Sequence, residues 1–190
     1  MLKRLSLTAA LFAAAAAPAF AHLNPEEHGS LMAGISHPLF GADHILAMLA
    51  VGIWASQIGG RALWAVPAAF VSMMAVGFGL AMTGVSLPFV EPAILASVIG
   101  LGLLVAAAVR LPVAASAAVV GVFALFHGYA HGGELGSAGA LSFGLGFLVA
   151  TAALHGAGVA LGMTVSRLGP SVARILGLAT VVGGAAIAFG

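Results

Sequence analysis

The sequence predicts an all-α integral membrane protein: a six-transmembrane-helix bundle left after signal-peptide cleavage, laid out as an inverted three-plus-three repeat. Three observations carry that prediction. The first is composition: 62% of the 190 residues are hydrophobic and 6% are charged, with a mean hydropathy of +1.19. An ordinary soluble domain carries about 25% charge, so this chain cannot clothe a core with a water-facing surface. The second is the recurrence of apolar runs long enough to cross a bilayer, for which about 20 residues are needed. The third is that the arginines fall in alternate breaks between those runs. Soluble enzyme, nucleic-acid binder and disordered chain are excluded as classes. The formal charge of +1 offers no basic stripe for phosphates. The absence of cysteine excludes disulfides, thiolate metal sites and a catalytic thiol.

The elements follow in order. Lys3 and Arg4 form a positive start, residues 5–17 a short apolar stretch, and Pro18-Ala19-Phe20-Ala21 a small-x-small cleavage pattern. This reads as a signal peptide over 1–21. The remainder, 22–190, is a single transmembrane domain beginning at His22, with four arginines against five acids. Its spans are placed at 31–57, 62–82, 92–109, 112–131, 138–165 and 172–189. The breaks carry Gly, Pro and Ser punctuation, and none is long enough for a soluble domain. Continuous apolar runs argue against a membrane barrel, whose strands alternate over about 10 residues. With His22 outside, Arg61, Arg110 and Arg167 fall in the three inner loops, and Arg174 adjoins the third. That distribution obeys the positive-inside rule. It places the chain in a bacterial-type inner membrane with both mature termini on the periplasmic side. Dense Gly and Ala fit close helix approach.

Ionisable residues inside spans are costly and usually face a partner or a polar cavity. The first span contains His37-Pro38-Leu39-Phe40-Gly41-Ala42-Asp43-His44. His37 and His44 are seven apart, which on a straight helix puts both on nearly one face, two turns apart. Pro38 removes the donor to Gly34, and Gly41 weakens the same stretch. Carbonyls freed there can act as oxygen ligands where they line a cavity. The fourth span ends Phe126-His127-Gly128-Tyr129-Ala130-His131-Gly132-Gly133-Glu134. His127 and His131 stand at i, i+4, a spacing at which two imidazoles chelate one metal, and Glu134 extends that face. Gly128 occupies the place of the glutamate in the zinc-protease motif, so that motif is absent. Taken singly, each histidine reads as a packing or hydrogen-bonding residue; taken together, the two stretches read as a joint metal or proton path.

Over these two stretches the chain resembles the HupE/UreJ family of transporters. The matching residues are His37-Pro38-x-x-Gly41-x-Asp43-His44 with Met48 and Val51-Gly52, and Phe126-His127-Gly128-x-Ala130-His131-Gly132-x-Glu134. The resemblance extends from about His22 to the C-terminus. It implies uptake of nickel, sometimes cobalt, and metal handling by His37, Asp43, His44, His127, His131 and Glu134.

Ligand chemistry, weighed separately, leaves the metal open. Imidazole with carboxylate suits nickel, cobalt, zinc and copper(II), and affinity order alone favours copper. The methionines scatter along apolar helices as packing residues do; Met48, one turn from His44, is the exception and a candidate ligand. His22, as a mature N-terminus, offers an amine and an imidazole for capturing cations, with Glu26, Glu27 and His28 nearby. His155, with Thr151 one turn before it, either extends the path inward or bonds a neighbouring helix. Glu91 precedes Pro92 at a helix start, where a carboxylate favours the dipole.

The function expected is therefore a divalent-metal permease over 22–190, not an enzyme. It would carry nickel or cobalt inward past His37, Asp43, His44, His127, His131 and Glu134. No prosthetic group is expected; the metal ion is the cargo, the bilayer the surroundings, and nucleic acid no partner. The alternatives are a permease for copper or zinc, a membrane-embedded zinc hydrolase with three His ligands and an acid as base, and a bis-histidine haem protein.

Overall fold

The computed structural model describes residues 30–132 and 139–190. The signal segment 1–21, His22, His28 and Glu134 lie outside the described residues. The elements are α1 (Leu31–Phe40), α2 (Ala42–Ile58), α3 (Ala62–Met82), α4 (Val90–Ala107), α5 (Val113–Gly132), α6 (Ala140–Ser166) and α7 (Pro170–Phe189). All described regular structure is helical. Helices α3 to α7 are each long and apolar enough to cross a membrane, and α1 with α2, bent by 79° at the break, passes the same test as a pair and counts as a sixth span when the two are taken as one.

The run read from sequence as one span at 31–57 is therefore broken, and the break has a local cause. Ser30 caps α1 by accepting from the Ala33 amide at 3.0 Å. Pro38 inside α1 brings no N–H of its own. Gly41 then leaves helical geometry (φ −79°, ψ 114°) while its N–H still bonds the His37 carbonyl. Helix α2 restarts at Ala42 with Asp43 in its first turn, where a carboxylate opposes the helix dipole. The other boundaries follow turn chemistry. Gly59 ends α2 at φ 79°, and Pro170 opens α7 behind Gly169 at φ 120°. Phe89 and Ala108 flank α4 in left-handed conformations at φ 60° and 52°, unusual for residues bearing a Cβ. Trp54 Nε1 donates to the Val109 carbonyl at 2.7 Å, and Gln57 Nε2 to the Val105 carbonyl at 3.0 Å. The first satisfies a carbonyl just beyond the end of α4, and the second adds a donor to the Val105 carbonyl, which already accepts from the Ala108 amide at 3.1 Å.

The closest helix pairings are α3 with α5, α4 with α7, and α1–α2 with α6. Numbered by span, these are two with four, three with six, and one with five. Exchanging the first three spans with the last three leaves that set unchanged, as a three-plus-three plan requires; the bend belongs to the first span alone among those described. All three pairings depend on missing side chains, two of them most directly. A Cβ on Gly77 or Gly128 would run into the facing carbonyl of Leu125 or Met74, and one on Gly34 or Gly146 into that of Phe143 or Leu31. Without a Cβ the backbones touch, the contact that replaces hydrophobic driving force between helices in lipid. Large side chains such as Leu141, Leu145 and Val149 on α6 and Ile175, Leu178 and Val182 on α7 are exposed, an outward apolar face suited to acyl chains. Polar side chains instead gather inside.

Candidate metal centre

The 79° bend carries the site. Seven residues of straight helix rise about 10 Å, yet the His37 and His44 rings lie 5.5 Å apart, edge to face. They meet because the chain turns between them, and the shared helical face expected from their spacing plays no part. The third imidazole comes from the last turn of α5: His131 lies 4.2 Å from His37 and 5.0 Å from His44, ring centre to ring centre. His131 Nε2 stands 3.1 Å from His44 Nε2. One nitrogen from each of the three rings falls within 4.8 Å of the others. Nitrogens bound at about 2.0–2.1 Å to one ion stand roughly 3.0–3.4 Å apart. The His44–His131 edge already has that length, and the group closes on an ion with a small inward shift.

The surroundings hold these rings in place. Phe147 on α6 packs its ring 6.0, 5.7 and 5.1 Å from His37, His44 and His131, and Phe143 lies 5.9 Å from His37. His44 is 3% and His131 9% exposed. Asp43 reaches the group through a neighbour: its Oδ1 lies 3.1 Å from His44 Nδ1, with the carboxylate partly exposed. A Cβ on Gly41 would come within 2.9 Å of His44 Nδ1 and 3.0 Å of Asp43 Oδ1, so the glycine leaves room for the contact. The contact is one of proximity and charge, since His44 Nδ1 forms no hydrogen bond in this geometry; a carboxylate that accepted from that nitrogen would orient the ring and raise its basicity. His44 Nε2 is turned toward His131.

His127 is placed differently from what its i, i+4 spacing suggested. It is fully buried and does not join the three-nitrogen group. Its Nε2 lies 2.9 Å from Ser97 Oγ, which in turn donates to the Ile94 carbonyl at 2.6 Å. A serine hydroxyl has one proton. With that proton directed to Ile94, Ser97 is left to accept from His127, an arrangement that favours the tautomer with its hydrogen on Nε2. The lone pair is then on Nδ1, which has no hydrogen-bond partner among the described residues. The ring stands 5.2 Å from His44, just behind the group. His155 is also buried, 4.8 Å from the ring of Phe70, which lies 5.7 Å from His127. Met48 is fully buried in the apolar core. Glu91 sits in the first turn of α4, in keeping with its dipole reading. Sequence reasoning missed Ser97, Phe70 and Phe147. A lone serine in an apolar run is a weak signal, and the two phenylalanines gave none.

The chain is a multi-pass helical membrane protein that gathers imidazoles from a bent helix pair and a facing helix into a group able to hold a metal ion. Its family is shown by comparison: residues 9–187 match the HupE / UreJ protein family, and the chain belongs to it. It is 48% identical over 181 residues to Protein HupE of Rhizobium leguminosarum bv. viciae, covering 94% of this chain and 95% of that one. No solved structure matches it.

Proposed function

We propose that this chain is an uptake permease for a divalent transition metal, nickel foremost and cobalt second. It would move the ion from the outer side to the cytoplasm. The observation that carries the reading is the three-imidazole group of His37, His44 and His131 at the bend of the first span. Neutral imidazoles replace water ligands without adding charge, and Asp43 beside His44 offsets the ion's charge at one remove. His127 adds a lone pair behind the group. Glu134 and His22 act at the outer entrance, and Met48 below His44. The domain is residues 22–190 after loss of a signal peptide, in the inner membrane with both mature termini periplasmic. The ion is cargo, and no prosthetic group is required.

The test is influx of nickel and cobalt into liposomes carrying the purified chain. Influx above empty liposomes that falls at least tenfold in His37→Ala, His131→Ala and Asp43→Ala, with the protein still inserted, supports the reading. No influx from folded protein overturns it. Zinc bound at the same three imidazoles together with hydrolysis of lipid or peptide would establish the hydrolase instead. Influx of copper or zinc in preference to nickel would reassign the cargo.

A further inference from the structure

Helix α6 passes the three-imidazole group at Phe147 and continues into the bundle. Eight residues later, about 12 Å along the axis, it carries His155. This side chain is 1% exposed, and neither ring nitrogen has a hydrogen-bond partner among the described residues. Apolar packing does not need such a group. A buried donor or acceptor without a partner costs about 1–3 kcal/mol, and a phenylalanine would fill similar space without that cost.

The neighbours of His155 are arranged in register. Thr151 precedes it by one turn on α6, and Phe70 and Met74 stand one turn apart on α3. The His155 and Phe70 rings meet edge to face at 4.8 Å, while Thr151 Oγ1 lies 3.8 Å from Met74 Sδ. Met74 and Thr151 are fully buried. The α3–α6 seam thus carries an imidazole and, one helical turn from it, a hydroxyl and a thioether in contact with each other. Phe70 touches both His127 and His155, standing between the first group and this second level.

We propose that His155, Met74 and Thr151 form a second cation-holding site, deeper than the first, for a borderline-soft divalent transition ion that arrives past the Phe70 ring. The site takes its cargo from the permease reading and deepens it. Imidazole and thioether donors suit such an ion better than magnesium or calcium. The described acids are Asp43 and Glu91, and neither bonds to this set, so its donors are all neutral. It therefore holds a dication more weakly than the first group, which has Asp43 at hand. Successive sites that bind favourably yet release are what conduction requires.

The experiment uses the full chain, purified and titrated with nickel chloride by equilibrium dialysis, then reconstituted for nickel influx. The wild type should bind two ions per chain with different affinities. His155→Phe and His155→Gln should each lose the weaker ion and at least tenfold of maximal influx, with apparent KM within twofold because capture at the first group is intact. Met74→Leu should weaken the second ion at least tenfold and remove a sulfur scatterer from the nickel X-ray absorption spectrum. His131→Ala should lose the tighter ion. If His155→Phe does not fold, His155→Gln and Met74→Leu decide. Two ions and wild-type influx in the folded His155 variants overturn the second site. A wild type that carries nickel but binds one ion overturns it while leaving the permease standing. A wild type that binds two ions without carrying any overturns the permease and leaves the second site in place.

Discussion

Replacing Ser97 by alanine removes one oxygen and tests whether His127 is a set ligand or a filler. His127 is fully buried, and its Nε2 lies 2.9 Å from Ser97 Oγ. Because the ring is fully buried, Ser97→Ala leaves a buried N–H unsatisfied at about 1–3 kcal/mol. That cost falls on the fold; for ion handling, the loss of a partner behind a metal ligand typically lowers affinity or activity about 10–100-fold. The expected outcome is nickel influx into liposomes lowered about 10- to 100-fold, with Ser97→Thr restoring most of it through its own hydroxyl. Nitrogen NMR of ring-labelled protein reads the same point without transport. The wild type should show His127 protonated on Nε2, and Ser97→Ala a mixture of tautomers. Wild-type influx with an unchanged tautomer in Ser97→Ala would refute the reasoning. Equal defects in Ser97→Ala and Ser97→Thr would assign the effect to space rather than to the hydroxyl.

Three further outcomes follow from the same geometry. Gly128→Ala places a Cβ against the Met74 carbonyl, whereas Gly79→Ala meets nothing within 4 Å. The first should lower stability by about 1–3 kcal/mol and the second raise it by about 0.5–1 kcal/mol, as read by thermal denaturation in detergent. Gly41→Ala sets a Cβ 2.9 Å from His44 Nδ1, so it should lower nickel affinity at least tenfold in equilibrium dialysis while the helix content by circular dichroism stays unchanged. Acidifying the outer medium should reduce uptake progressively, because an imidazole must shed its proton before it ligates; initial influx rates across a pH series check this, and rates that rise on acidification would count against imidazole capture.

The spans were legible because lipid leaves few ways to satisfy a backbone and composition alone reveals which runs enter it. The five spans after the first fall within two residues of their expected bounds at either end, and α3 at 62–82 coincides. The three-imidazole group was legible only in part. Spacing joined His127 to His131 because it sees one helix at a time. In the fold, His131 turns to His44 across 87 residues of sequence, and Ser97 takes the Nε2 of His127. Those partners come from other helices and leave no mark on local periodicity. Membership of the family was visible in the two motifs, whereas the roles of the individual nitrogens were not.

The first span shows why. Pro38 and Gly41 were read as weak points in one helix, and a pattern of residue types carries no value for a backbone torsion. The torsion decides the site. With Gly41 at ψ 114°, α1 and α2 diverge by 79°, and His37 and His44 come to 5.5 Å instead of standing two turns apart. A straight span would keep the helical hydrogen bonds other than the one Pro38 cannot make, and lose the group, because His131 meets both rings only at the bend. The break thus sacrifices regular backbone bonding at membrane depth, tolerated only where protein or a cavity lines it. Here Phe143 and Phe147 supply that lining and pack on the histidine rings themselves. The residues that make the helix imperfect are therefore the ones that assemble the imidazoles. Straightening the span should remove the group without touching a single ligand.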